Sequence, residues 1–151
     1  MKKIITIITL AILLVTVTGC SKNETICTTT TIVKSSVVTS SYKIIHKNNI
    51  VYKVVKTEQI TNKNTDTLYE FKSSIENNNK EYNKMTHYRN EVKIEDDTLI
   101  STTKINYRRL DLNKYVLLDE ENKSIISNNK VELNKLIKAY EKLGLSCKSS
   151  S

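Results

Sequence analysis

The sequence predicts an α+β fold, a single domain in which an antiparallel sheet of about five strands carries helices on one face. Three observations lead there. Residues 26–60 are dense in Thr, Val, Ile and Tyr and poor in strong helix formers, which is strand composition. Two later segments change to apolar recurrence at three and four residues, the period of a helix with one buried side. No internal repeat or linker separates these parts, and the 151 residues contain no Pro; strands and helices segregated along one chain belong to the α+β class.

The chain starts with a different kind of segment. Lys2 and Lys3 precede an apolar run at residues 4–17, which ends in Val17, Thr18, Gly19 and Cys20. A positive start, a short apolar run and small residues before a cleavage point make a secretory signal. The ending resembles the bacterial lipobox, in which the cysteine accepts a diacylglyceryl group and becomes the mature N-terminus. The run is shorter than the roughly 20 residues of a spanning helix, which argues against an uncleaved anchor. The expected organisation is a signal peptide at residues 1–19, lipidation at Cys20, a tether at residues 20–25 and an extracytoplasmic domain at residues 26–151. Two or three acyl chains would hold that domain permanently on the outer face of the cell membrane.

Within residues 26–60, Ser35 and Ser36 mark a weak break. Asn48 and Asn49 separate two strand-like segments, and asparagine tolerates the positive φ of a tight hairpin. Leu68, Phe71 and Ile75, with Tyr82 as an extension, place a helix at residues 67–77, capped by Thr65 or Asp66 and ended by the Asn77, Asn78, Asn79 run. A second hairpin turns at Asp96 and Asp97. Tyr88, Val92 and Ile94 share one face of its first strand, and Leu99, Ile105 and Tyr107 share one face of its second, with Ser101 and Thr103 between them, so the sheet should have a covered and a wet side. Residues 110–118 read as a short helix capped by Asp111 or as another strand. Leu133, Leu136, Ile137, Tyr140 and Leu143 form a helical stripe over residues 131–143, with Asn128 or Asn129 as N-cap, Gly144 as left-handed C-cap and Leu145 as its apolar follower.

In this order of elements the chain resembles the YehR-like bacterial lipoproteins. The likeness rests on the ending at Cys20, the strand of Ile50, Val51, Tyr52, Lys53, Val54, Val55 and Lys56, the hairpin at Asp96 and Asp97, the segment at residues 105–112 and the closing Leu143, Gly144 and Leu145. It spans nearly all of the chain after residue 19. The resemblance implies a small surface-anchored domain on an antiparallel sheet, and it carries over no catalytic residues.

The chemistry is bounded mostly by exclusion. Gly19 and Gly144 are the two glycines, so no glycine-rich phosphate cradle, dinucleotide fingerprint or kinase loop can be written. Cys27 and Cys147 remain after lipidation, and an even remainder in an exported chain points to a disulfide joining the first strand to the segment after the last helix. Free thiols or a redox pair are the alternatives, and the redox reading lacks a Cys-x-x-Cys spacing. His46 and His87, each expected to be partly exposed, have no ligand partner at zinc-site spacing, so neither a metal nor a cofactor is expected. Asp96 and Asp97, and Asp119, Glu120 and Glu121, fall in turns, and neither histidine sits in a nucleophile and base motif. No catalytic residue is assigned, and the chain does not read as an enzyme.

The net charge of +8 is spread over Lys34, Lys43, Lys47, Lys53, Lys56, Lys80, Lys84, Arg89, Lys93, Lys130, Lys135, Lys138 and Lys142, the ordinary coat of a solvated surface. No nucleic-acid motif accompanies it. Lys135, Lys138 and Lys142 could alternatively lean on anionic lipid or wall polymer. The function expected is a noncatalytic envelope module that meets an envelope protein, a peptide or a wall polymer through the wet sheet face or a sheet edge. The alternative is an accessory subunit of an envelope enzyme or transporter, with a site built from scattered residues.

Overall fold

The computed structural model describes residues 23–33 and 35–150; Cys20, the expected signal segment and Lys34 lie outside the described residues. A meander of β1 (Asn23–Val33), β2 (Ser36–Lys47) and β3 (Ile50–Thr61) is followed by α1 (Thr65–Asn79), a 3₁₀ turn at Tyr82–Lys84 and the hairpin β4 (Tyr88–Glu95) and β5 (Thr98–Ile105). Then come α2 (Leu112–Leu118), a 3₁₀ segment at Glu120–Ile125, the ribbon β6 (Ile126–Ser127) and β7 (Lys130–Val131), α3 (Leu133–Lys142) and β8 (Ser146–Ser150). The main sheet has six strands in the order β4-β5-β3-β2-β1-β8, and every neighbouring pair is antiparallel. β1 starts at Asn23, so residues 23–25, expected as tether, already pair with β2.

The hairpin turns fall where the sequence places them. Asn48 and Asp96 take φ of 54° and 53°, the left-handed region that short polar side chains tolerate. Between Ile45 and His46 the β2–β3 register shifts. The resulting bulge turns both Val51 and Val54, three residues apart, into the core, which strict alternation would forbid.

Helix ends depart from the expectation in two places. The side chain of Asn64, rather than Thr65 or Asp66, caps α1 by accepting from the backbone N–H groups of Asp66 and Thr67; an asparagine one residue outside the first turn reaches those amides directly. Asn128 and Asn129 do not cap α3. Both have positive φ, 48° and 56°, and they make the two-residue turn of the β6–β7 ribbon instead, because the primed hairpin turn favours two left-handed residues. The other ends agree. Asp111 caps α2 through the Lys114 N–H. Gly144, at φ 84°, closes α3, with its N–H on the Glu141 carbonyl and the Leu145 N–H on that of Tyr140, the double bond of a Schellman cap.

The helices cover one face of the sheet. α1 lays Leu68, Phe71 and Ile75 against Ile60, Leu99, Val38, Val92 and Ile94 at one end of that face. The larger cluster lies at the other end, where α2 and α3 bring Leu112, Tyr115, Leu133 and Leu136 onto Cys27, Ile44, Val51 and Val54. Tyr82 belongs to this second cluster, from the 3₁₀ turn, and not to the α1 stripe. Among the described residues no helix is long and apolar enough to cross a membrane.

Candidate functional site

Two apolar clusters on one sheet face leave a strip between them, and the strand period decides what fills it. On the covered face β3 presents Val54, Lys56, Glu58 and Ile60 in turn, because side chains alternate. Their partners on β2 are Ile44, Tyr42, Ser40 and Val38, and on β5 Ile105, Thr103, Ser101 and Leu99. Asn90 of β4 lies opposite Thr103. Each strand therefore contributes apolar residues to the two ends and polar ones to the middle. The result is a polar belt running across the sheet beneath the gap between α1 and α3.

The belt is internally bonded. Lys56 Nζ lies 2.9 Å from Glu58 Oε2 and 5.6 Å from the centre of the Tyr42 ring. Ser40 Oγ donates to Glu58 Oε1 at 3.5 Å. Asn90 Nδ2 donates to Ser101 Oγ at 3.0 Å and Thr103 Oγ1 at 2.9 Å. Such a network is the usual condition for keeping polar side chains beneath helices, since an unpaired buried polar group costs about 1–3 kcal/mol. Among the described residues no buried side-chain N or O lacks a partner.

Above the belt opens a cleft of about 430 Å³, lined by Lys56, Glu58, Ser101, Thr103, Asn78 and Asn79 and walled by Tyr42, Tyr88, Tyr107, Tyr115 and Tyr140. Tyr42 and Tyr140 pack at 4.4 Å between ring centroids, and the hydroxyls of Tyr107 and Tyr115 meet at 3.2 Å. A second cavity of about 510 Å³ shares Tyr107, Tyr115 and Tyr140 and continues beside α3, past Lys135, Lys138, Lys142, Asp119 and Glu121.

The protonation states follow from burial. Desolvation, reinforced by neighbouring phenols, raises the Tyr88, Tyr107 and Tyr140 hydroxyls above their ordinary pKa. Tyr115 is pushed up to about 12, mainly by burial. Burial works against the Lys56 charge, but Tyr42 and Glu58 outweigh it and hold the ammonium above its usual value. At neutral pH Tyr88, Tyr107, Tyr115 and Tyr140 are therefore neutral phenols and Lys56 is protonated.

The residues singled out by sequence lie mostly elsewhere. Cys27 and Cys147 stand directly opposite one another across β1 and β8 and form a disulfide, with Cα atoms 3.9 Å apart. That is closer than the roughly 4.4–6.8 Å of most bridges and than the roughly 4.5–5.5 Å between opposite residues of an antiparallel ladder. His46 is buried, not partly exposed: its Nε2 is 3.1 Å from Thr25 Oγ1 and its Nδ1 is 3.3 Å from the Asn48 carbonyl. His87 is exposed before β4. Asp96 and Asp97 make the β4–β5 turn, and Asp119 caps the following 3₁₀ segment. Lys56 is the main correction, because it lies in the belt and not in the solvated coat. Counting by twos from Val54 or back from Ile60 would have placed Lys56 and Glu58 on the covered face.

No family model matches the chain, and no curated protein matches it in sequence. Among solved structures, the arrangement is similar to those of two bacterial proteins. The NMR structure of Escherichia coli YehR aligns with a TM-score of 0.58 at 10% identity, covering 85% of this chain and 92% of that one. The NMR structure of a protein from Streptococcus pneumoniae TIGR4 aligns with a TM-score of 0.55 at 18% identity, covering 98% of both chains. The chain thus has a YehR-like fold.

Proposed function

We propose that the chain is a lipid-anchored lipoprotein of the bacterial cell envelope, a relative of the YehR-like lipoproteins, and that it works as a noncatalytic binding module through the cleft between α1 and α3. The observation that carries the binding reading is the belt itself. Lys56 and Glu58 occupy core-facing positions of a central strand, flanked by Val54 and Ile60, where apolar residues would serve stability at least as well. Polar groups kept at such positions in an open cleft of this size fit a ligand site. The same cleft, and not only the wet face or an edge, is where the partner is expected to sit.

The anchoring half rests on the sequence ending at Gly19 and Cys20. Its test is mass spectrometry of the membrane fraction, with Cys20→Ala as the comparison. Native chain beginning at an acylated Cys20, and unprocessed C20A, are the expected results; native protein cleaved elsewhere and free of acyl groups would overturn it.

A further inference from the structure

The groups that converge on the cleft also limit the chemistry of its occupant. Lys56 and Glu58 are the charged residues among those lining it, and they neutralise one another at 2.9 Å. An ionic ligand would meet no uncompensated opposite charge. The walls are made by five of the chain's eight tyrosines. A phenol combines a flat apolar ring with a hydroxyl at its edge.

Bonding capacity remains after the internal network is counted. The Tyr140 hydroxyl, which is not fully enclosed, and the exposed Asn78 amide have no hydrogen-bond partner among the described residues. Lys56 has three N–H donors; the Glu58 carboxylate takes one and Tyr42 engages another, which leaves one for a ligand. The cavity volume of about 430 Å³ lies in the range of small-molecule sites, roughly 300–1,000 Å³. The adjoining cavity, which shares three of the tyrosines, gives an extended ligand room to continue.

We infer that the cleft binds a saccharide: a neutral, hydroxyl-rich ring or short glycan segment whose C–H faces lie on the tyrosines and whose hydroxyls bond to Tyr140, Lys56 and Asn78. This rests on the reading of the chain as a binding module and names its ligand class.

The test uses the full chain in detergent micelles. Since the chain has no Trp, its intrinsic emission comes from tyrosine, and five of the eight tyrosines line the cleft. Titrations with tri-N-acetylglucosamine, maltotriose and cellotriose are compared with inorganic phosphate and triglycine. A saturable change with at least one sugar, and none with phosphate or triglycine, is expected. Tyr140→Phe, which removes one hydroxyl and keeps the ring, should weaken that binding roughly two- to tenfold, whereas Tyr69→Phe, on the exposed side of α1, should leave it unchanged. Silence with all three sugars, or equal affinity in Y140F, overturns the saccharide assignment. A response to triglycine or phosphate alone also overturns it while keeping the binding module. Acylation at Cys20 is read separately by mass, so loss of the sugar assignment is distinguishable from loss of the lipoprotein reading.

Discussion

Asn49, in the β2–β3 turn, caps a helix 85 positions further along the chain: its Oδ1 accepts from the backbone N–H of Asn134 at 3.0 Å. Its carbonyl accepts from the Leu133 N–H at 2.9 Å. The α3 N-cap residue itself, Glu132, provides no side-chain bond. The turn between two strands thus satisfies the first amides of the last helix, and this fixes α3 at the mouth of the cleft.

Asn49→Ala should therefore destabilise the domain by about 1 kcal/mol, the usual cost of losing an N-cap, although the substitution lies outside any helix. Thermal melting measures the loss. Faster hydrogen exchange at Asn134, with exchange in α1 unchanged, would localise it.

Gly144→Ala isolates backbone strain. A Cβ at this position would meet nothing within 4 Å, while φ is +84°. The expected loss of about 1 kcal/mol comes from conformation alone and is read as a lower Tm. An unchanged Tm would show that the C-cap relaxes freely.

The bridge between Cys27 and Cys147 closes a loop with a sequence separation of 120. On the chain-entropy view this stabilises by up to about 5 kcal/mol. Reduction, or replacement of both cysteines by serine, should lower Tm and release β8, whose pairing in the sheet is with β1. Protection of the β1 amides facing β8 should fall first in hydrogen exchange.

Alkaline pH should unfold the domain. A phenol with a raised folded pKa binds its proton more tightly when folded, so its contribution is complete below the unfolded value near 10 and is lost as pH rises. Tyr115 defines the window from about 10 to about 12. Tyr88, Tyr107 and Tyr140 act in the same direction, as does Lys56, whose pKa is also raised. Loss of circular dichroism should coincide with phenolate absorbance. Buried tyrosines ionising in an intact fold would contradict this.

The parts of this fold that were legible in sequence are governed by local chemistry. The Asn48 and Asp96 turns, the Leu68, Phe71, Ile75 stripe and the Gly144 cap each need only their neighbours. β8 was not legible: Ser146, Cys147, Lys148, Ser149 and Ser150 show no apolar alternation, and their strand state comes from pairing with β1 and from the bridge. The α3 cap was equally hidden, since Asn49 is distant in sequence. The belt was within reach. Lys56 and Glu58 keep the inward phase of β3, but charged residues at core-facing positions read as surface until the covering helices are placed.

The central claim is that Lys56 and Glu58 are kept for binding and not for stability, and the most direct measurement is the melting temperature of the Lys56→Met, Glu58→Leu double variant. Replacing a desolvated ion pair by well-packed apolar residues of similar size is often neutral or stabilising, and this pair is partly desolvated. The predicted result is a folded protein with an equal or higher Tm that no longer responds to sugar. A variant that melts far below the native chain, or fails to fold, would show that the belt is structural and contradict the account.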